Sequence, residues 1–303
     1  MHVLRTPDEH FAELPGFDHE PRYAEVPDGD GGELRMSWVE AGPDDGPVAL
    51  LLHGEPSWSF LYRHVIDELV TAGVRCVAPD MVGFGRSDKP TEVGDHSYAR
   101  HVEWVRALAF DVLDLSGVTV VGQDWGGLIG LRLVAEHADR FARVVAANTG
   151  LPTGDFGMPD IWWQFHDAVA AAETLDIGRL VQSGCVRPLL DEVRAAYDAP
   201  FPDETYKAGP RAMPGLVPTS PEDPATVPNR AAWNALGACD LPFLVAFSDS
   251  DPITGAMGPI LRDHVPGTRG LEHPVLEGAG HFLQEDAGPQ LGGAVAAFIT
   301  GGL

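Results

Sequence analysis

An α/β architecture, a mostly parallel sheet flanked by helices with an inserted helical cap, is the fold class this sequence predicts. Three observations carry it. Short β-branched runs alternate with segments of helical period. One such run passes through a glycine-bracketed aspartate straight into an apolar helical segment. The alternation then lapses over residues 152–229, a Pro- and Gly-rich stretch, and resumes afterwards.

The elements follow in order. Residues 34–40 read as an early strand, and 48–52, followed by His53-Gly54, as a buried strand ending in a loop. Further strands are expected at 75–78, 118–121, 144–147, 242–247 and 274–276. Helices fit 97–115, 128–137 and 289–299 by period and length. The irregular stretch carries helical patches at 161–172 and 189–197. An insertion between two strands of such a sheet sits over their carboxyl ends, where ligands bind. The expected organisation is therefore a core from residues 1–151 and 230–303, with a helical cap from 152–229.

Charge narrows the partners. The 303 residues hold 20 Lys and Arg against 45 Asp and Glu, a formal charge of −25. Such a surface repels nucleic acid and anionic membrane, whereas an uncharged substrate feels little of the field. The excess fits an ordinary acidic soluble protein. It also fits adaptation to high salt, where screening relaxes self-repulsion. No run approaches the roughly 18 apolar residues of a membrane span. The first fifteen residues mix charged and apolar types without a basic start and apolar stretch, so no secretory signal is read there. A cytoplasmic location is expected. Three cysteines, Cys76, Cys185 and Cys239, form no CxxC pair and read as free thiols.

The chemistry centres on Gly122-Gln123-Asp124-Trp125-Gly126. Strand, Gly-x-Asp-x-Gly, helix is the nucleophile-elbow pattern with Asp in the serine position. The glycines leave room for a tight, strained turn, and the helix N-terminus favours the negative charge. Taken alone, Asp124 reads as a helix N-cap. Partners downstream change that reading. His281, in Gly278-Ala279-Gly280-His281-Phe282, follows the last strand on a short glycine loop and is the base candidate. The chain order nucleophile, acid, base matches this pattern. For the acid, Ser248-Asp249-Ser250-Asp251-Pro252 offers two aspartates. Asp251, past the strand in a Pro turn, is preferred, with Asp249 as a turn cap. The alternative position, after the 144–147 strand, holds Asn148, which cannot carry a charge. Glu285 and Asp286 are expected to begin the last helix.

A carboxylate nucleophile implies a reaction class. It attacks an sp³ carbon, displaces a leaving group and forms an alkyl ester, which water then opens. The backbone N–H groups of Trp125 and of Glu55, in His53-Gly54-Glu55-Pro56, are placed to bind the oxyanion of that second step. The indole of Trp125, a donor only, can hold a departing anion such as halide.

At these residues the chain resembles the haloalkane dehalogenases. The matching stretches are 53–62 (HGEPSWSFLY), 78–90 (APDMVGFGRSDKP), 122–127 (GQDWGG), 197–209 (YDAPFPDETYKAG) and 279–285 (AGHFLQE). The resemblance implies an α/β-hydrolase fold with an eight-stranded sheet and a helical cap. It implies hydrolytic dehalogenation of a small uncharged haloalkane, with water as co-substrate, halide as product and no cofactor or metal. It is similar to the subfamily with an Asp-His-Asp triad and two halide-binding tryptophans. Asp124 then corresponds to the nucleophile, His281 to the base, Asp251 to the acid, Glu55 to the oxyanion loop and Trp125 to the first halide donor. The second donor comes from the cap, where Ile161-Trp162-Trp163-Gln164 offers two; Trp163 is favoured over Trp162. The nearest rival is an epoxide hydrolase, which needs two cap tyrosines as acids, and Tyr197 and Tyr206 are available. A haloacid-specific enzyme needs arginines for the substrate carboxylate. A non-catalytic binding module predicts decay of the triad, which is intact.

Overall fold

In the computed structural model, which describes residues 1–302, the β-branched runs assemble into one sheet. The strands are β1 (Pro21–Pro27), β2 (Glu33–Ala41), β3 (Val48–Leu52), β4 (Arg75–Asp80), β5 (Val118–Gln123) and β6 (Phe141–Ala147). They lie in the order β1-β2-β4-β3-β5-β6. The seventh strand, β7, has two parts, Phe243–Val245 and Phe247–Ser248. The first pairs with β6, the second with β8 (Val275–Leu276). Ala246 stays in the ladder by donating its N–H to the Ala146 carbonyl at 2.9 Å. The eight strands of the resemblance are thus present. Among these eight strands β1, β2 and β4 pair antiparallel and the rest parallel, and a separate two-residue antiparallel pair joins Val3–Leu4 to Lys89–Pro90.

β3 and β5 are central because their side chains are apolar or small on both faces, and helices cover both. α1 (Arg63–Thr71) packs on α10 (Leu283–Thr300), and α3 (Trp125–Glu136) on β5. α2 (Tyr98–Arg106) starts at Ser97, whose hydroxyl caps the Arg100 N–H, and continues as a π-helical segment at Ala107–Val112. That segment keeps the expected 97–115 helix apolar face on the core at the cost of a wider turn. α10 starts six residues before the expected Pro289 and breaks its helical geometry at Ala287 (φ −142°).

Between β6 and β7 the chain forms α4 (Asp160–Ala171), α5 (Ile177–Ser183), α6 (Asp191–Asp198) and α7 (Ala208–Leu216), then α8 (Thr226–Leu236), which returns it to α3. The expected boundary between residues 229 and 230 falls inside α8. The last peripheral helix is α9 (Met257–His264). The insertion is tied to the core by directed bonds. Trp58 Nε1 donates to the Ala196 carbonyl at 3.0 Å. Arg63 and Glu285 form a two-pronged ion pair at 2.5 and 2.6 Å, and the Tyr197 hydroxyl donates to the same carboxylate. At the hinge, Trp233 donates to Leu151 O at 2.7 Å and Asn229 to Pro152 O at 2.7 Å.

The Arg63–Glu285 pair is almost completely buried on both sides. Removing one partner leaves an uncompensated buried charge, which typically costs about 3–5 kcal/mol. Glu285→Ala is therefore expected to lower unfolding free energy by about that amount in urea titration. A loss below about 1 kcal/mol would place the pair among interactions that merely break even.

Candidate active site

The turn from β5 into α3 forces Asp124 to φ 51°, ψ −126°, a region that non-glycine residues rarely enter and that costs about 1–3 kcal/mol. Its glycine neighbours permit it by absence. A Cβ on Gly126 would lie 1.9 Å from the Leu52 carbonyl oxygen, and one on Gly122 only 2.7 Å from the Gly126 carbonyl oxygen. The Asp124 N–H donates to the Asn148 carbonyl at 3.0 Å, and the Thr149 hydroxyl donates to the Asp124 carbonyl at 2.8 Å. The carboxylate makes no capping bond to its own helix. Instead Oδ1 accepts the Glu55 N–H at 2.8 Å. Gly54 allows that approach, since a Cβ there would meet Asp124 Oδ1 at 2.4 Å. An N-cap role thus does not account for Asp124.

His281 stands between two carboxylates. Nδ1 lies 3.0 Å from Asp251 Oδ2, and Nε2 lies 3.4 Å from Asp124 Oδ2. Burial pulls the imidazole toward its neutral form, but Asp251 and Asp124 outweigh burial and push its pKa up to about 10. Burial likewise disfavours the Asp251 anion. His281, the Thr254 hydroxyl and the Ile253 N–H (2.8 Å) reverse that, leaving Asp251 below the usual carboxylate range. Asp249 is exposed and accepts the Gly278 N–H at 3.0 Å, supporting the base loop from outside. Asn148, at the alternative acid position, has a different task. Its Nδ2 donates to Ser248 Oγ (2.7 Å), Gly280 O (2.9 Å) and His281 O (3.1 Å), and its Oδ1 accepts the Ser248 N–H (2.9 Å). One residue therefore joins all three segments, its side-chain amide bonding the Ser248 and Gly280-His281 stretches and its backbone carbonyl the Asp124 N–H. No spacing rule in the sequence signals this, because its partners come from three distant strands.

A cavity of about 1160 Å³ lies between sheet and insertion. Asp124, His281, Glu55 and Trp125 border its inner end, and the wall is mainly apolar, with Leu128, Phe165 and Trp233 among its members. The Glu55 carboxyl is 6% exposed, and burial with neighbouring Asp124 pushes its pKa well above the usual carboxylate range. Of the adjacent tryptophans on α4, Trp162 is 5% exposed and borders the cavity; Trp163 is 37% exposed and does not. Neighbours on a helix differ by about 100° in direction. The buried stripe of α4 runs through Trp162 and Val169, one heptad apart, which turns Trp163 outward. Trp162, and not the expected Trp163, is therefore the one that faces the cavity. Neither Tyr197, committed to Glu285, nor Tyr206 borders the cavity, so among the described residues its wall holds no tyrosine of the kind an epoxide would need. Arg230 borders it, but its guanidinium is taken by Asp155.

Comparison with known proteins agrees with this arrangement. Residues 47–288 match the alpha/beta hydrolase fold family. A haloalkane dehalogenase of Psychrobacter cryohalolentis is 49% identical over 99% of this chain and 98% of its own. Haloalkane dehalogenase 1 of Mycobacterium tuberculosis is 53% identical, covering 96% of both chains. Among solved structures, the tetrameric haloalkane dehalogenase DpaA from Paraglaciecola agarilytica superposes with a TM-score of 0.87 at 33% identity, covering 96% of this chain and 97% of that one. With near-full-length identity of about half to named members, the chain belongs to the haloalkane dehalogenase family.

Proposed function

We propose that this site hydrolyses haloalkanes in two half-reactions, with Asp124 as nucleophile, His281 as base and Asp251 as the acid that orients it. The observation that carries the reading is the split role of the Asp124 carboxylate. Oδ1 is already bonded to the Glu55 N–H, while Oδ2 faces His281. In the first half Oδ2 attacks the carbon bearing the halogen from the side opposite the leaving group, and the halide departs with the bonding pair. The indole N–H groups of Trp125 and Trp162 receive it, because halide is too weak a base to take a proton and needs donors. Asp124 becomes an alkyl ester with Oδ1 as its carbonyl oxygen. In the second half His281 takes a proton from water, and hydroxide adds to the ester carbon. The Glu55 and Trp125 N–H groups hold the oxyanion that forms at Oδ1. Collapse releases the alcohol and restores the carboxylate, so the sum is haloalkane plus water to alcohol, halide and a proton.

Alkylation also prepares the base. In the resting site two anions hold His281 protonated; ester formation neutralises one of them and lowers the proton affinity of the ring, whose proton then leaves to solvent as the proton of the sum, freeing the ring to take one from water. The apolar wall suits an uncharged substrate, and 1160 Å³ exceeds the ~300–1,000 Å³ of ordinary small-ligand pockets. Chains longer or bulkier than the shortest haloalkanes therefore fit. The division into core (1–151, 230–303) and cap (152–229), with α8 as the hinge, belongs to this proposal, as does a cytoplasmic location. Among the described residues no helix is long and apolar enough to cross a membrane.

Three measurements test the reading. His281→Gln should still be alkylated, and mass spectrometry after incubation with 1-bromohexane should show the alkyl mass on Asp124, whereas Asp124→Ala should gain nothing. A folded His281→Gln protein without adduct would remove His281 from the second step. Asp124→Asn, which mimics the charge of the ester, should lower the His281 pKa from about 10 when followed by NMR of the imidazole. An unchanged or higher value would contradict the switching of the base. Trp162→Phe deletes one charge-assisted hydrogen bond. It should weaken bromide binding about 10–100-fold in a fluorescence titration, and Trp163→Phe should leave affinity unaltered. The opposite pattern would return the role to Trp163.

A further inference from the structure

We propose that Asp286 is a positioning residue for the second half-reaction: it fastens the cap segment around Val186 to the loop that carries His281. The proposal rests on the reading of His281 as the base. Asp286 is 3% exposed, in the first turn of α10, and one of its oxygens accepts two N–H groups from opposite sides. Oδ2 takes the Gly280 N–H at 2.9 Å, from the residue before His281, and the Val186 N–H at 2.8 Å, from the cap. Oδ1 takes the Arg187 N–H at 2.8 Å. All three partners are backbone donors, so the carboxylate fixes main chain and not the tips of flexible side chains.

The contact it closes has no slack. The Phe282 N–H donates to the Gly184 carbonyl at 3.2 Å, and a Cβ on Gly280 would lie 2.4 Å from that same carbonyl oxygen. Of the backbone N–H groups on either side of the base, that of Gly280 goes to Asp286 and that of Phe282 to the cap, while the Gly280 and His281 carbonyls accept from Asn148. Val186 and Gly184 also border the cavity, so the segment that walls the substrate and the segment that carries the base move as one body. The nucleophile is held by other means. Asp124 is set by the Asn148 backbone carbonyl, the Thr149 hydroxyl and the Glu55 N–H, and none of these bonds is to Asp286. Loss of Asp286 should therefore spare the attack of Asp124 on carbon and harm the delivery of water by His281. Displacing a reacting group by about 1 Å can cost around a hundredfold in rate.

The test uses the full chain with 1-bromohexane. In Asp286→Asn, an amide replaces a group that faces only donors, so at least one N–H loses its acceptor. Rapid-mixing kinetics should show a burst of about one bromide per active site, then steady turnover slower by about tenfold or more. The alkyl mass should accumulate on Asp124. Val186→Pro removes the cap donor and leaves the carboxylate in place, so it should show a burst too, which guards against misfolding of the first variant. Independently of any substrate, the downfield NMR resonance of the His281 Nδ1–H should shift or broaden in both variants while melting remains cooperative. Equal loss of burst and turnover, or a burst-free enzyme with wild-type turnover and an unmoved resonance, would overturn the proposal. If the wild type releases no bromide from any bromoalkane, the proposed reaction fails, and the resonance alone decides whether Asp286 positions His281.

Discussion

The strained backbone at Asp124 is the constraint around which the rest is arranged. A positive φ on a non-glycine residue costs about 1–3 kcal/mol, so the neighbours must over-determine it. They do so by emptiness and by bonding. Gly122 and Gly126 clear space where any side chain would strike backbone, and Gly54 clears the approach of the oxyanion loop. The Asn148 carbonyl takes the Asp124 N–H, and the first N–H groups of α3 bond back to the Asp124 carbonyl. The strain has a geometric return. The side chain projects away from both strand and helix, leaving one oxygen on a backbone donor and the other toward the imidazole.

Once the carboxylate is fixed there, charge governs what surrounds it. Three acids, Asp124, Asp251 and Glu55, converge on one imidazole. Burial and repulsion from Asp124 push Glu55 well above the usual carboxylate range, while His281 lowers Asp251 below it. The resting site thus holds one cation between two anions, an arrangement that survives burial because each charge has an opposite partner. The −25 of the whole chain is a separate matter. Most of its carboxylates lie on the exterior, screened over about 8 Å at physiological salt, whereas the cavity wall is mainly apolar and has its arginine already paired.

The parts legible in the sequence are those whose signal is local. β3 and β5 read clearly because both faces are buried and the runs are apolar without alternation. Asp124 and His281 were legible because glycines must flank them, and Asp251 because the turn places it beyond the strand end. β1 was not: it is an edge strand framed by Pro21 and Pro27 and half exposed, so neither hydrophobicity nor proline rules favoured it. α7 and α8 were hidden by Pro210 and Pro228, which sit in first turns where a missing N–H does no harm. Asn148, Arg63 and Glu285 act through partners far away in the chain, which no local pattern reports. Trp162 and Trp163 are chemically identical neighbours. Only the packing of α4 decides which faces inward, and that decision belongs to the assembled cap.

The cap itself divides into two halves with different attachment. Around α5 and α6 it is fixed to the core: Tyr197 is fully buried against Phe60, its hydroxyl and Arg63 share Glu285, and Ala196 accepts from Trp58. Around α4 it is lightly covered. That helix buries only Trp162 and Val169, and Phe156 just before it is 85% exposed. Segments with few buried contacts open at lower free energy than those welded into a core. The attachment matches the demands of the proposed chemistry. A base must keep its angle to the ester through a slow hydrolysis, and it borders the welded half. An anion must be gripped when it forms and released afterwards, and its cap-side donor stands on the half that can yield.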